Sequence, residues 1–253
     1  MGTKERRERE KQEVRERILD AARTLFVREG YEAVSMRRIA DLIEYSPTAI
    51  YMHFEDKDAL FRELCGTDFL ALAKSFGHLA TIADPLERLR GIGREYVRFG
   101  LEHPNHYRLM FMTPHPPEAE EETTVEKGNP EQDAYSFLLQ TIQQCVAADR
   151  FRAEYRDAEQ VAQMLWASTH GLVALHITMG GDDGDWVEWR PAMETSEALI
   201  DALLRGMSEP VGMATANPAV AAPVAKPTRT IAPAPKAARR KPAARSRRRT
   251  RGA

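Results

Sequence analysis

The chain has 253 residues, 43% apolar and 29% charged, with a formal net charge of −2 and two cysteines. That length allows one or two domains with a sizeable core, and Cys65 and Cys145 alone exclude a disulfide framework. The charged opening MGTKERREREKQEVRER lacks the apolar centre of a signal peptide, and no apolar run approaches the roughly 18 residues of a membrane span, so a cytoplasmic protein without membrane contact is expected.

The small net charge hides an asymmetry. Residues 226–253 hold 11 Lys/Arg and no acid, residues 65–225 hold 12 basic and 24 acidic residues, and residues 1–64 are near balance at 13 and 14. A tail of that kind is drawn to polyanions, whereas the middle repels them.

In chain order, Val14, Ile18, Ala21, Ala22, Leu25 and Phe26 recur at three- and four-residue spacing, which predicts an amphipathic helix that ends before Gly30. Ser35 then caps a short helix, MRRIADLI. A turn leads into SPTAIYMHF (residues 46–54), where Ser46 is the N-cap and Pro47 sits in the first turn. This second short helix carries groups able to make contacts around most of its circumference. Two helices follow, over EDKDALFRELCGTDFLALAKSF and DPLERLRGIGREYVRFGLEH. Residues 113–133, polar, acidic and rich in proline, read as a long loop that is either a lid or a linker. Two more long helices, AYSFLLQTIQQCVAAD and AEQVAQMLWASTHGLVALHITMG, precede a last one, AMETSEALIDALLRGMS. The second of these three is apolar on more than one face, as a helix buried on two sides would be. No alternating β-branched segment stands out, so the expected class is all-α. Beyond Glu209, Ala, Pro, Lys and Arg cannot build a core, and residues 210–253 are expected to be a disordered tail.

Two short helices joined by a tight turn, the second exposing polar and aromatic groups, make a helix-turn-helix DNA reader. MRRIADLI would lie across the backbone and SPTAIYMHF would enter the major groove. Thr48 and Ala49 let the backbone approach base edges, and Tyr51 and Met52 are suited to a thymine methyl or a sugar. Arg37 and Lys57 are placed for phosphates, while Ser35 and Ser46 present helix N-termini to them. Tyr51 and His53 also have a packing reading, which for Phe54 is the better one; Arg38 reads as plain surface.

At ILDAARTLFVREGYEAVSMRRIA and YSPTAIYMHFEDKDALF the sequence resembles the tetracycline-repressor (TetR/AcrR) family of transcriptional regulators. The spaced patterns AA..LF...G, S.R.IA and IY.HF.DK..L carry the likeness over roughly residues 15–61. A weaker likeness, in HPNHYRLMF and LWASTHGLVAL, is to a regulatory-domain subgroup marked by a Trp and a His-Gly pair (WHG-like). One departure is Glu44, which stands where the family commonly has Gly in the turn; a non-Gly residue at positive φ costs roughly 1 kcal/mol. The turn is therefore either reshaped or strained.

The resemblance implies a homodimer with a three-helix reader over residues 12–60 and a ligand-binding and dimerisation domain over 61–209. The last two long helices of each subunit would pair at the interface, through Leu165, Leu172, Leu175, Ile200, Leu203 and Leu204. Such a dimer reads a pseudo-palindromic operator in double-stranded DNA and leaves it when a small effector binds, with the helix starting near Asp56 as the lever. Tyr107, Met110, Phe111, Met164, Trp166 and His170 are candidates for an apolar effector pocket; each also reads as core, and His170 as a satisfied core histidine whose pairing with Gly171 reflects close helix packing.

The histidine spacings, three residues through a proline or six along a helix, do not set two metal ligands on one face, so no metal or other cofactor is expected. Phosphate loops, nucleophile elbows and dinucleotide fingerprints are missing from the sequence, and no catalytic residue is assigned. The tail has the pattern of a sequence-independent phosphate grip, against the plainer reading of a solvated extension. A contrasting function is an architectural, nucleoid-type protein in which that tail dominates and no ligand acts.

Overall fold

The computed structural model describes residues 3–115, 125–180 and 187–208, and among these it contains nine α-helices. The expected tail lies outside the described residues, as do residues 116–124 of the acidic loop. The helices are α1 (Thr3–Glu29), α2 (Met36–Leu42), α3 (Pro47–Tyr51), α4 (Lys57–Phe76), α5 (Pro85–Glu102), α6 (Pro104–Met112), α7 (Ala134–Ala147), α8 (Ala158–Met179) and α9 (Ala192–Met207). Among the described residues, the one bridge between extended positions joins Phe151 to Ser208, where the Arg152 N–H donates to the Met207 carbonyl at 2.9 Å.

Two helices differ from the expectation for clear reasons. α1 starts well before its apolar stripe, because its first turns are strong helix formers held by pairs four residues apart, Arg6–Glu10 at 2.8 Å and Gln12–Glu16 at 2.9 Å. α6 occupies a stretch where the sequence predicts no helix of its own, directly after α5. Pro104 cannot continue α5 beyond His103, yet it is well placed to begin a new helix at its first position.

The apolar side chains form two cores. The first gathers Ile18, Ala22, Leu25 and Phe26 of α1, Ile39 and Ala40 of α2, Ile50 of α3, and Leu60, Phe61, Leu64 and Cys65 of α4. It also takes in one residue from far along the chain, the fully buried Leu109 of α6. The second core is built by α5, α7, α8 and α9 against the C-terminal half of α4, with Phe76, Ile92, Val97, Ile142, Val161, Val173 and Leu204 among its members. At Gly100 α5 meets α6 and α8 so closely that a Cβ there would lie 2.5 Å from Val173 Cγ1 and 2.9 Å from the Tyr107 ring. α4 and α6 thus contribute to both cores.

A buried ionic cluster marks the place where they meet. Asp68 of α4, 1% exposed, accepts from Arg23 Nη2 of α1 at 2.6 Å and from His106 Nδ1 of α6 at 2.9 Å. Closer to the first core, Arg15 grips both carboxylate oxygens of Glu63, donates to the His53 carbonyl at 2.6 Å and lies 4.2 Å from the Phe54 ring centre.

Candidate DNA-binding surface and apolar cavity

α2 and α3 are each started by a serine. Ser35 Oγ accepts from the Arg38 N–H and Ser46 Oγ from the Ala49 N–H, both at 3.2 Å, and Pro47 occupies the first helical turn. Between the two helices the Tyr45 N–H reaches the Ala40 carbonyl at 3.0 Å and the Glu44 N–H reaches Asp41 at 3.4 Å, the paired bonds of a Schellman cap. That cap needs a left-handed residue, and Glu44 supplies it at φ 60°. The turn therefore keeps its shape and carries the strain of a non-glycine side chain.

This geometry gives α3 one buried anchor, Ile50, and an outward face. Tyr51 is 54% exposed and Met52, just past the helix end, 77%; Ser46, Pro47 and Thr48 are exposed and Ala49 is half-buried. The helix is shorter than the span 46–54 suggested, since Met52 and His53 form a turn and Phe54 turns into the core. Arg37 is exposed and joins no ion pair among the described residues, whereas Arg38 is held by Glu29 at 3.2 Å. Lys57 is half-buried. Its ammonium donates to the Tyr31 carbonyl at 2.9 Å and lies 4.1 Å from that ring's centre. His53 is also half-buried, and burial, reinforced by Arg15 and Lys11, holds its pKa below the ordinary value, so it is neutral near pH 7.

Between α4, α5, α6, α7, α8 and α9 lies a cavity of about 1040 Å³. Phe61, Phe69, Leu72 and Phe76 of α4, Ile92 of α5 and Leu138 of α7 make its walls apolar. His115, next to the acidic loop's start, and Val125, Lys127 and Gln132 of its second part complete the lining. Of the six expected pocket residues, Met110, Phe111, Trp166 and His170 face this space. Tyr107 and Met164 do not: Tyr107 is fully buried behind the wall, and Met164 is half-buried against the second core.

Tyr107 nonetheless organises the polar side of the cavity. Trp166 Nε1 donates to the Tyr96 hydroxyl at 2.9 Å, the Tyr96 and Tyr107 hydroxyls are 2.9 Å apart, and Tyr107 Oη lies 2.6 Å from His170 Nδ1. An indole only donates, so the proton order that satisfies every buried hydroxyl runs Trp166 to Tyr96 to Tyr107 to His170 Nδ1. His170 is then the neutral tautomer with its proton on Nε2. Burial agrees, holding the His170 pKa below its ordinary value and pushing that of Tyr96 up to about 12.

Sequence reasoning missed Tyr96 and Arg62. Each had a readable signal. Tyr96 follows Leu89 and Ile92 at helical spacing, and Arg62 shares a face of α4 with Cys65, Gly66 and Phe69, all on the cavity wall.

The expected interface positions divide. Leu175 is 49% exposed and Leu203 half-buried, but Leu172 is buried within the subunit and Leu165, Ile200 and Leu204 line the cavity. α8 is apolar on more than one face, and Leu172 also borders an outer groove beside Gly171 and Leu175, whereas α9 is apolar along one face, on which Ile200 and Leu204 turn inward. A Cβ on Gly171 would meet nothing within 4 Å, so close packing inside the subunit does not account for that glycine.

Two family models match the chain: "Bacterial regulatory proteins, tetR family" over residues 18–64 and "Tetracyclin repressor-like, C-terminal domain" over residues 89–203. The chain belongs to the TetR/AcrR family of transcriptional regulators. Members of this family are regulators rather than enzymes. Among the described residues no group of three or more His, Cys, Asp or Glu could hold a metal ion, and no helix is long and apolar enough to cross a membrane. The chain is 40% identical over 75 residues, 28% of its length, to the HTH-type transcriptional repressor Rv1474c of Mycobacterium tuberculosis. It spans 40% of that protein and less than half of each curated relative it matches first. Among solved structures, a protein of unknown function from Rhodococcus sp. RHA1 is 25% identical with a TM-score of 0.60, covering 77% of this chain and 95% of its own. The TetR family regulator PfmR of Thermus thermophilus is 24% identical at a TM-score of 0.58, covering 74% and 97%. This TetR/AcrR member shares its fold with both.

Proposed function

We propose that this chain is a sequence-specific transcriptional repressor that sits as a two-fold dimer on a pseudo-palindromic operator and leaves it when an apolar small molecule fills the cavity. The observation that carries the reading is the double membership of α4 and α6: each packs in the reader's core and also forms a wall of the 1040 Å³ cavity. A ligand that favours one arrangement of those two helices shifts the spacing of the two readers, and with it the affinity for DNA. The relatives matched over the reader are themselves named repressors, which supports the direction of control.

In this reading α3 enters the major groove with Thr48, Tyr51 and Met52 forward, α2 lies across the backbone, and Arg37 and the starts of both helices hold phosphates. Lys57 acts beside them through the donors that Tyr31 leaves free. The partner subunit docks on the outer faces of α8 and α9, where Leu175 and Met179 are 49% and 40% exposed and Gly171 offers open space. Trp166 and His170, tied into one hydrogen-bond network, support placing the regulatory domain in the subgroup marked by those residues. The basic tail adds a sequence-independent grip on DNA.

Selection of binding sites from random duplex DNA by the full-length chain at near-physiological salt tests this. One enriched, two-fold-symmetric site is the expected result, with half-sites separated by one or more helical turns, about 34 Å each. Binding without enrichment refutes the specific regulator and favours the architectural reading, in which residues 226–253 dominate.

A further inference from the structure

The polar groups of the cavity are unequally divided between donors and acceptors. Among the described residues Asp133 is the only carboxylate on its wall, and its oxygens accept from the Gly128, Tyr135 and Ser136 N–H groups and the Ser136 hydroxyl. Those bonds cap α7, and although burial alone would raise its pKa they hold it below the usual carboxylate value. Gln132 Oε1 already accepts from the Glu126 N–H at 3.3 Å. On the donor side, His170 Nδ1 is taken by Tyr107, which leaves the Nε2 proton without an acceptor among the described residues.

Arg62 is the stronger case. It lies on α4 and lines the cavity; among the described residues it joins no ion pair, and its buried Nε has no hydrogen-bond partner. The arginines of α1 that reach inward beside the first core are engaged: Arg15 by Glu63 and Arg23 by Asp68. A buried N–H left unmade carries its full desolvation cost, and a guanidinium beside an apolar wall gains most from a planar anion that accepts two parallel bonds.

We propose that the cavity takes a monoanionic carboxylate on a large apolar body, with Arg62 as its counter-ion. This rests on the reading of the cavity as the effector site and names the chemical class of the effector. The volume suits a body the size of a long acyl chain or a fused-ring acid. Among the described residues the lining carries two cations, Arg62 and Lys127, against the single carboxylate of Asp133, a balance that matches one further negative charge. The position of Arg62 also gives the charge its purpose. The residue stands within a turn of Leu60, Phe61 and Leu64, which anchor α4 in the reader's core, so a carboxylate drawn to Arg62 pulls on the end of α4 that bears on DNA.

The test is calorimetric titration of the full-length chain with dodecanoate and with 1-dodecanol, below their self-association limits, for the natural sequence and for Arg62→Gln and Arg62→Lys. The expected result is at least a tenfold preference for the acid, about 1.4 kcal/mol. That preference should vanish in Arg62→Gln and survive in part in Arg62→Lys. Equal binding of acid and alcohol by the natural chain, or a preference that persists in Arg62→Gln, overturns the carboxylate proposal while leaving the cavity as an effector site. Failure of both probes to bind overturns the proposal and the cavity reading together.

Discussion

Replacing Asp68 by Asn tests whether the joint between the two cores is held by charge. Asp68 Oδ1 accepts from Arg23 at 2.6 Å and from His106 at 2.9 Å, and the carboxylate is almost wholly buried while the Arg23 side chain is 12% exposed. Asparagine keeps an acceptor in place and removes the charge. Hydrogen bonds to charged groups contribute about 1.5–3 kcal/mol and neutral ones about 0.5–1.5, so two such bonds lose about 2 kcal/mol together. Alanine removes the acceptor as well and leaves Arg23 with only the solvent-facing Asp20 at 3.1 Å, which places it near the roughly 3–5 kcal/mol of a broken buried pair. For a folded part of this size each kcal/mol lowers the Tm by about 2–4 °C. The expected drops are therefore about 4–8 °C for Asp68→Asn and clearly more for Asp68→Ala. The assay is thermal unfolding followed by far-UV circular dichroism, at one fixed chain concentration because self-association shifts the Tm. An Asn variant within about 1 °C of the natural protein, or one as unstable as the Ala variant, would refute the charge-based account of the joint.

The remaining predictions are more local. His170 is held neutral below its ordinary pKa of 6.5 by burial, so the stability it contributes is complete above pH 6.5 and declines as the pH falls towards its folded value. Melts from about pH 8 to about pH 5 should show that decline, and His170→Gln should flatten part of it, His53 adding a slope of the same sign; an unchanged slope refutes the buried, neutral state of His170. Glu44→Gly relieves the positive φ and, after the added freedom of the unfolded chain, should gain about 0.5 kcal/mol at most; a lower Tm contradicts the strain. Ser46→Ala removes the cap of a five-residue helix at about 1 kcal/mol, which should weaken operator binding about fivefold for each half-site and lower the Tm by about 2–4 °C. Arg37→Ala removes one phosphate contact per subunit and should reduce the magnitude of the slope of log affinity against log salt by about 1.8 for the dimer, and an unchanged slope means that Arg37 touches no phosphate.

How far the sequence could be read depended on the range of the forces involved. The caps at Ser35 and Ser46, the helix start at Pro47 and the special position of Glu44 in the turn are local events within four residues, and each was legible. The inner and outer faces of α8 were not, because that helix is apolar on more than one side, and on α9 only packing against α5 decides that Ile200 and Leu204 face inward. Tyr107 was recognised as a pocket candidate but lines no part of the wall; its hydroxyl acts one layer behind, through His170, and no spacing rule encodes that. Arg62 was harder for another reason. An arginine on a helix reads as solvated surface until the absence of a partner around it is known.

The reach of Leu109 into the first core bears on how such proteins can be cut and recombined. A reader excised at the start of α4 would lack that leucine, and also Leu64 and Cys65, which close the same core. The hole left by a missing buried leucine typically costs about 2–5 kcal/mol, a large share of what so small a bundle can supply. The head is therefore not a free-standing cartridge. Chimaeras that splice a new reader onto this body are expected to keep their fold only where the graft brings a partner suited to Leu109, so the seam between reading and sensing is a matched surface rather than a point along the chain.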